Sequence, residues 1–265
     1  MFLDRTTLHD FEAWKLEATT SGGVALIDKD TDWTSFDVVA KMRSLTRIKK
    51  TGHAGTLDPL ATGLLILCFG KMTKSINTFQ DAPKQYEAII KLGATTKTDD
   101  AEAPEENILP VEHITEVDIA NACTKFNILP VEHITEVDIA NACTKFVGEI
   151  DQIPPMFSAI KKDGQPLYKF ARKGIELDLP PRRVTIYSIT ITKIDLPYIH
   201  ITVDCAKGTY IRSLARDIGA LLGCGGYLTA LRRTAIGEFR VENAVRISEV
   251  MEQVGNIVKP VHEAD

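Results

Sequence analysis

The stretch Gly52-His53-Ala54-Gly55-Thr56-Leu57-Asp58-Pro59-Leu60-Ala61-Thr62-Gly63 gathers the residue types that chemistry needs. Three glycines permit close backbone approach or positive φ, and Pro59 fixes the main chain immediately after Asp58. Asp58 is therefore expected on a stiff, tight turn. A carboxylate held at one spot can serve as nucleophile or base. Taken alone, an Asp-Pro dipeptide reads more simply as a turn whose side chain satisfies local amides. A phosphate cradle is disfavoured, because G-x-x-x-x-G-K-[ST] is missing and a carboxylate repels phosphate.

The elements on either side must carry this loop. Val24 to Ile27 reads as an apolar strand. Ser35 to Arg47 reads as a helix capped by Thr34, with Asp37 three residues later and Val38, Met42 and Leu45 on one face. A basic stretch (Arg43, Arg47, Lys49, Lys50) leads into the loop, and Gly63 to Phe69 leaves it as a buried strand. Tyr86, Ala88, Ile90 and Leu92 alternate with Glu87, Ile89 and Lys91 in a further strand. Arg183 to Ile194, with Val184, Ile186 and Ser188 on one face, and Tyr198 to Cys205, with Ile199, Ile201, Val203 and Cys205 on one face, read as strands joined at Leu196-Pro197. Tyr210 to Leu222 reads as a helix ended by Gly223, its core stripe Ile211, Leu214, Ile218 and Leu221. Strands in runs with interspersed helices indicate an α+β fold: a mixed, largely antiparallel central sheet flanked by helices. No Gly/Ser-rich linker divides the chain, so one main domain is expected, with residues 97–146 as a candidate appendage.

Composition bounds the function classes. The 265 residues are 44% hydrophobic and 25% charged, the range of ordinary globular chains. Five cysteines without a C-x-x-C pair favour buried thiols in a reducing compartment, so the cytoplasm is expected. The sequence has no apolar run of about 18 residues and no basic-then-apolar N-terminus, which disfavours membrane insertion and export. The net charge of −5 is unevenly spread. Eleven acids and three lysines lie between Lys97 and Phe146, a local −8 that leaves +3 for the rest of the chain. A basic face is thus available for a polyanionic partner.

The acidic region also contains an exact tandem repeat, Asn107 to Phe126 recurring unchanged as Asn127 to Phe146. Repeat architectures drift and need about three units, so this reads as a duplication rather than a solenoid. Each copy carries a helix signal: Thr115 or Thr135 as N-cap, then Asp118 or Asp138, then apolar positions 119, 123 and 126, or 139, 143 and 146. A shift of 20 residues at about 100° each turns the second apolar stripe about 200° from the first, and Pro130 interrupts between them. Two short antiparallel or splayed helices are expected, only one packed as in an unduplicated ancestor, with the acidic segment hanging away from any polyanionic partner or lacking order in its absence.

The run GHAGTLDPLATGLL resembles the signature of the TruB family of tRNA pseudouridine synthases over Gly52 to Leu65. Further segments resemble that family in the same order: Lys29 in IDK, Tyr86 in KQYEA, Pro154 to Ala159, Leu167-Tyr168 with Ala171-Arg172, Lys207 to Arg212, and Leu231-Arg232-Arg233. The resemblance implies a pseudouridine synthase catalytic domain over residues 23–254, including the doubled segment 107–146, between an N-terminal extension 1–22 and a tail 255–265. It implies isomerisation of uridine-55 in the T loop of tRNA without metal, nucleotide or organic cofactor. The partner would be the T stem-loop, and the chain a monomer with no membrane association.

On that resemblance Asp58 is the catalytic carboxylate, attacking C6 of the base or the ribose, or removing a ribose proton. Arg212 would pair with Asp58, Tyr86 would stack on the flipped uracil and assist proton transfer from C5, and Leu231 would form an apolar wall. His53 would fill the place that the base vacates, and Gly52 and Thr56 would line the substrate loop. Phosphate contacts would come from Lys29, Arg43, Lys49, Lys50, Lys161, Lys162, Arg172, Lys173, Arg182, Arg183, Arg232 and Arg233. Two departures stand out. Asp30 follows Lys29 where the family usually has Pro and a nearby Gly, which bears on the loop's shape. Many members end in an RNA-binding PUA domain, but about 15 residues follow Val250, so its absence is expected. The rival classes are a tRNA-refolding protein that needs no isomerase and a small-molecule enzyme using Asp58 as base; the scattered basic clusters count against the second.

Overall fold

The computed structural model describes residues 1–108, 131, 134–162 and 164–258. In chain order its elements are β1 (Phe2–Leu3), α1 (Phe11–Thr20), β2 (Gly23–Lys29), α2 (Ser35–Thr46), β3 (Thr51–His53), β4 (Thr62–Phe69), α3 (Ile76–Asp81), β5 (Lys84–Leu92), β6 (Thr95–Thr96) and β7 (Glu105–Glu106). There follow α4 (Glu136–Thr144), β8 (Gly148–Gln152), β9 (Lys161–Lys162), β10 (Gln165–Pro166), α5 (Leu167–Ala171), β11 (Arg182–Asp195), β12 (Tyr198–Cys205), α6 (Ile211–Leu221), β13 (Gly226–Ile236), β14 (Phe239–Arg240) and α7 (Ile247–Val258). Pairing is largely antiparallel, with parallel exceptions at β1/β2 and β13/β4, as the α+β reading expects.

The chain forms two compact units, Met1–Tyr86 with Arg232–Asp265, and Glu87–Leu231. Their boundaries fall inside β5 and β13, which is why no linker composition marks them.

In the first unit β4 is the axis. β2 pairs with it antiparallel along its length, Gly23 opposite Phe69 to Lys29 opposite Gly63. On its other edge β3 takes one end (Thr51 opposite Phe69) and β13 the other (Arg233 opposite Gly63). The segment from Ala54 to Ala61 therefore leaves β3 and returns into β4 beside β13. Covered on both faces, β4 is buried from Gly63 to Phe69, and Leu64, Ile66 and Cys68 pack with Val24, Leu26, Ala54, Ile236 and Val241. Thr34 and Asp37 form the capping box that starts α2, and Arg47 closes it in the left-handed conformation at φ 63°. Residues 1–22, expected as an extension, are built into this unit: β1 pairs with β2, and Phe11, Trp14 and Ala18 of α1 are fully buried. The tail expected from 255 begins inside α7, and 259–265 lie outside the described residues.

In the second unit β11 pairs with β12 on one side and β8 on the other. A register shift between Ile186 and Ser188 moves the inward face from Val184 and Ile186 to Ile189 and Ile191, which sit opposite Val203 and Ile201; the sequence alternation carries no sign of this. In α6, Ile211, Leu214 and Ile218 are buried as expected, whereas Leu221 is 45% exposed and Leu222 takes its place. The second repeat copy forms α4, capped by Thr135 and Asp138, with Ile139 and Cys143 buried and Phe146 half-buried. That copy is packed into its unit, where an appendage was expected. The helix expected in the first copy and Pro130 lie outside the described residues.

Gly63 has φ +100°, and an added Cβ would sit 2.3 Å from the Arg233 carbonyl oxygen. Gly148 has a similar φ of +104° with nothing within 4 Å. Gly63→Ala should cost about 3 kcal/mol or more in urea unfolding, and Gly148→Ala about 1 kcal/mol, since only the first adds a collision to the backbone strain.

Candidate functional site

The loop bearing Asp58 is held by buried cations acting on its carbonyls. Arg233, 1% exposed on β13, donates through Nε to Leu64 O at 2.7 Å, through Nη2 to Gly55 O at 3.2 Å and through Nη1 to Thr56 O at 3.5 Å. Lys29, also 1% exposed at the end of β2, donates to Trp33 O at 2.6 Å, Asp30 O at 3.0 Å and Pro59 O at 3.2 Å. The Asp32 amide reaches the same Pro59 oxygen at 3.0 Å. Ser35, buried at the start of α2, receives the Leu57 amide on Oγ at 2.8 Å and returns a bond to Leu57 O at 3.1 Å. Both flanks of Asp58 are thus fixed by backbone bonds. Asp58 itself is half-buried.

These bonds correct part of the sequence reading. Lys29 and Arg233, expected as phosphate ligands, have their donors committed to carbonyls inside the fold. Arg232 makes a two-pronged contact with Asp28, at 2.9 and 3.0 Å. Arg43 donates to Thr51 O. Lys49, Lys50, Lys161, Lys162, Arg172, Lys173, Arg182 and Arg183 are exposed. The Lys-Asp departure also has a structural account, for Asp32 takes φ 64°, a conformation glycine adopts freely and aspartate tolerates.

Burial pulls the Lys29 pKa from 10.5 to about 8, while the charges of Asp58, Asp30 and Asp32 oppose this and Arg233 reinforces it. Lys29 and Asp58 therefore sense one another's charge. His53, half-buried on β3, has its pKa lowered by burial; the Gly55 backbone opposes the shift and Arg233 adds to it. Its ring is neutral at pH 7, and Nδ1 is buried without a hydrogen-bond partner of good geometry. Gly52 and Thr56 bracket this part of the loop, the first half-buried and the second exposed. Tyr86 is half-buried on β5. The segment before it is anchored by Lys84, which donates to Ala82 O at 2.6 Å, and by Gln85, which accepts from Thr234 at 2.9 Å.

Arg212 and Leu231 belong to the second unit. Gln152 clamps the start of α6 by exchanging two bonds with Tyr210, at 2.8 and 3.0 Å, and Ser213 donates to Ile153 O at 2.9 Å. Arg212 is 5% exposed, which rules out a solvated helix arginine. Its Nη1 lies 3.3 Å from Asp100 Oδ2 and donates to Thr98 O at 3.1 Å, and Nη2 donates to Phe157 O at 2.8 Å. Asp100, fully buried, accepts on Oδ1 from Thr98 Oγ1 at 2.6 Å and from the Glu102 amide at 3.0 Å. Beside it Asp99 receives Arg216 at 2.9 Å, with its pKa pushed up to about 6 by burial against the pull of Arg216 and Arg212. The sequence reading counted both aspartates only in the local charge balance and missed this pairing. The local mark of this turn is the left-handed Asp99 that follows Thr98, and it is a feature of the backbone rather than of the residue types. Leu231 is half-buried on β13. Among the described residues no group of three or more His, Cys, Asp or Glu is arranged to hold a metal, and no helix is long and apolar enough to cross a membrane.

The profile of the TruB family pseudouridylate synthase N-terminal domain matches residues 43–129 and again 127–211, and that of the tRNA pseudouridylate synthase B C-terminal domain matches 212–262. The chain belongs to the TruB family. Tandem matching of its N-terminal domain reflects the repeat, since each match contains one copy. A tRNA pseudouridine synthase B of Cupriavidus metallidurans is 45% identical over 232 residues, 86% of this chain and 67% of the relative. One from Flavobacterium johnsoniae is 46% identical over 239 residues, 88% of this chain and 96% of the relative. A solved Cbf5–Nop10–Gar1 complex contains a chain of the same fold, 27% identical with a TM-score of 0.61, covering 85% of this chain and 52% of that one. The TruB chain thus spans nearly all of one bacterial relative, two thirds of the other and about half of the Cbf5 chain.

Two outcomes follow from this geometry. Because folding lowers the Lys29 pKa, the unfolded chain holds a proton that the folded chain has released between about pH 8 and 10.5, so stability rises with pH across that window. Urea unfolding at pH 7.5 and pH 10 should show wild type gaining on the order of 2 kcal/mol relative to Lys29→Met. Deleting one repeat copy gives the same product whichever is removed. That 245-residue chain should keep pseudouridine-forming activity within about twofold, as 20 residues in a connection alter closure entropy little.

Proposed function

We propose that this TruB chain converts uridine-55 in the T loop of tRNA to pseudouridine, with Asp58 as the catalytic carboxylate. The observation that carries the reading is the rigid setting of Asp58: Leu57 tied to Ser35, Pro59 O held by Lys29 and Asp32, and the preceding carbonyls held by Arg233. The reaction breaks the N1–C1′ bond, joins C5 to C1′, releases the C5 proton and returns one to N1, so no electrons are gained or lost and no cofactor is required. Asp58 supplies the carboxylate for the rearrangement, attacking C6 or the ribose or removing a ribose proton.

On the family resemblance Arg212 keeps Asp58 ionised; within its own unit its guanidinium is held by Asp100, Thr98 and Phe157. Tyr86 stacks on the uracil and assists proton transfer from C5, with Leu231 as the apolar wall. The base must leave its stack to reach the carboxylate, at a cost of a few kcal/mol that the pocket returns. The neutral His53 ring takes the vacated place. The exposed lysines and arginines, Lys49, Lys50, Lys161, Lys162, Arg172, Lys173, Arg182 and Arg183, face the phosphates of the T stem-loop. The chain works as a monomer, in the cytoplasm where tRNA is processed.

The test is incubation with unmodified tRNA and pseudouridine mapping. Wild type should convert one T-loop uridine and Asp58→Asn should convert none; product from both, or from neither, overturns the assignment.

A further inference from the structure

Phe36 is 68% exposed, more than any other phenylalanine, tyrosine or tryptophan among the described residues. Its backbone is not free to drift. It is the second residue of α2, between the capping box of Thr34 and Asp37 and the Ser35 hydroxyl that grips both backbone groups of Leu57, the neighbour of Asp58. Its ring meets His53 edge to face, with centroids 6.2 Å apart at 79°. The His53 imidazole is held neutral by burial, so the two rings form an uncharged aromatic corner anchored to the Asp58 loop. Farther along, the chain that runs through α2 into β3 and His53 carries Lys41, Arg47, Lys49 and Lys50, all at least partly exposed, while Asp30, Asp32 and Asp37 are the exposed acids near the start of α2.

An exposed phenylalanine gains nothing in folding, since its apolar area stays in water. An exposed ring on a stretch of chain that also carries lysines and an arginine suits an unpaired nucleobase: every base has a π-face, and cations of the same stretch can meet its phosphates. A protein partner would want a wider apolar surface, which this single ring among charges does not offer.

We propose that Phe36, braced edge to face by His53, is a base-stacking residue for an unpaired nucleobase of the RNA substrate other than the uridine held at Asp58. This rests on the function proposed above and adds a specificity element to it: the substrate must present a second unstacked base beside the target. Phe36 positions RNA and takes no part in bond making.

The test measures Kd for unmodified tRNA, by filter binding, for wild type, Phe36→Ala, Phe36→Leu and Phe36→Trp over a range of salt. Ala and Leu should each weaken binding about tenfold, the size of one lost base–aromatic stack, while Trp stays within about twofold. The slope of log Kd against log salt should be the same for all four, because stacking releases no counterions. At saturating tRNA, kcat should stay within about threefold of wild type and the defect should appear in KM. Thermal unfolding is expected to be unchanged at this exposed position. Binding by Phe36→Leu or Phe36→Ala as tight as wild type, or a changed salt slope, overturns the stacking role while the TruB activity stands. A wild-type chain that neither binds nor modifies tRNA overturns the proposed function, and this inference with it.

Discussion

A catalytic loop rich in glycine has little in its own side chains to hold it still, and here the holding is done by two buried cations whose partners are backbone oxygens. Arg233 grips Gly55, Thr56 and Leu64, and Lys29 grips Asp30, Trp33 and Pro59. Each cation has hydrogen bonds that offset its desolvation, and each leaves Asp58 as the carboxylate between two fixed stretches. The buried Lys29 and Asp58 also sense one another's charge, which favours the ionised carboxylate. Gly63 completes the arrangement by letting the Arg233 backbone come within a distance that any side chain would block.

The second unit solves a similar problem with an acid. Arg212 could extend into solvent from α6, but Asp100 and two carbonyls hold its guanidinium inside. A buried pair of this kind adds little net stability, since desolvation cancels much of the attraction; what it supplies is one geometry. Asp100 is itself held by Thr98 and the Glu102 amide, so the orientation of Arg212 is set by the turn from Thr96 to Glu102, far away in sequence.

The elements were legible wherever one local rule dominated. Thr34 with Asp37 and Thr135 with Asp138 announced the starts of α2 and α4 through side chains that bond backbone three residues on. The alternation from Ile199 to Cys205 gave β12 to the residue. Long-range facts were not legible. Nothing local in Leu231-Arg232-Arg233 tells that Arg233 turns inward to carbonyls some 170 positions earlier, so a basic pair was read as a phosphate site. The same holds for Asp99 and Asp100, which look like two more charges in an acidic stretch until Arg216 and Arg212 are brought to them. The bulge after Ile186 was hidden because Ile189 and Ile191 fit either face equally well in a β-rich run. The resemblance located Asp58 and its loop, and the structure explains why that loop keeps one shape.

The left-handed turn at Asp32 bears on which residues that position can accept. Its carboxylate is exposed, and the contribution to the site comes from the main-chain amide, which shares the Pro59 oxygen with Lys29. Backbone handedness therefore selects the residue more than charge does. Glycine or asparagine would serve as well, whereas a β-branched side chain would twist the amide away and leave the lysine to support that carbonyl unaided.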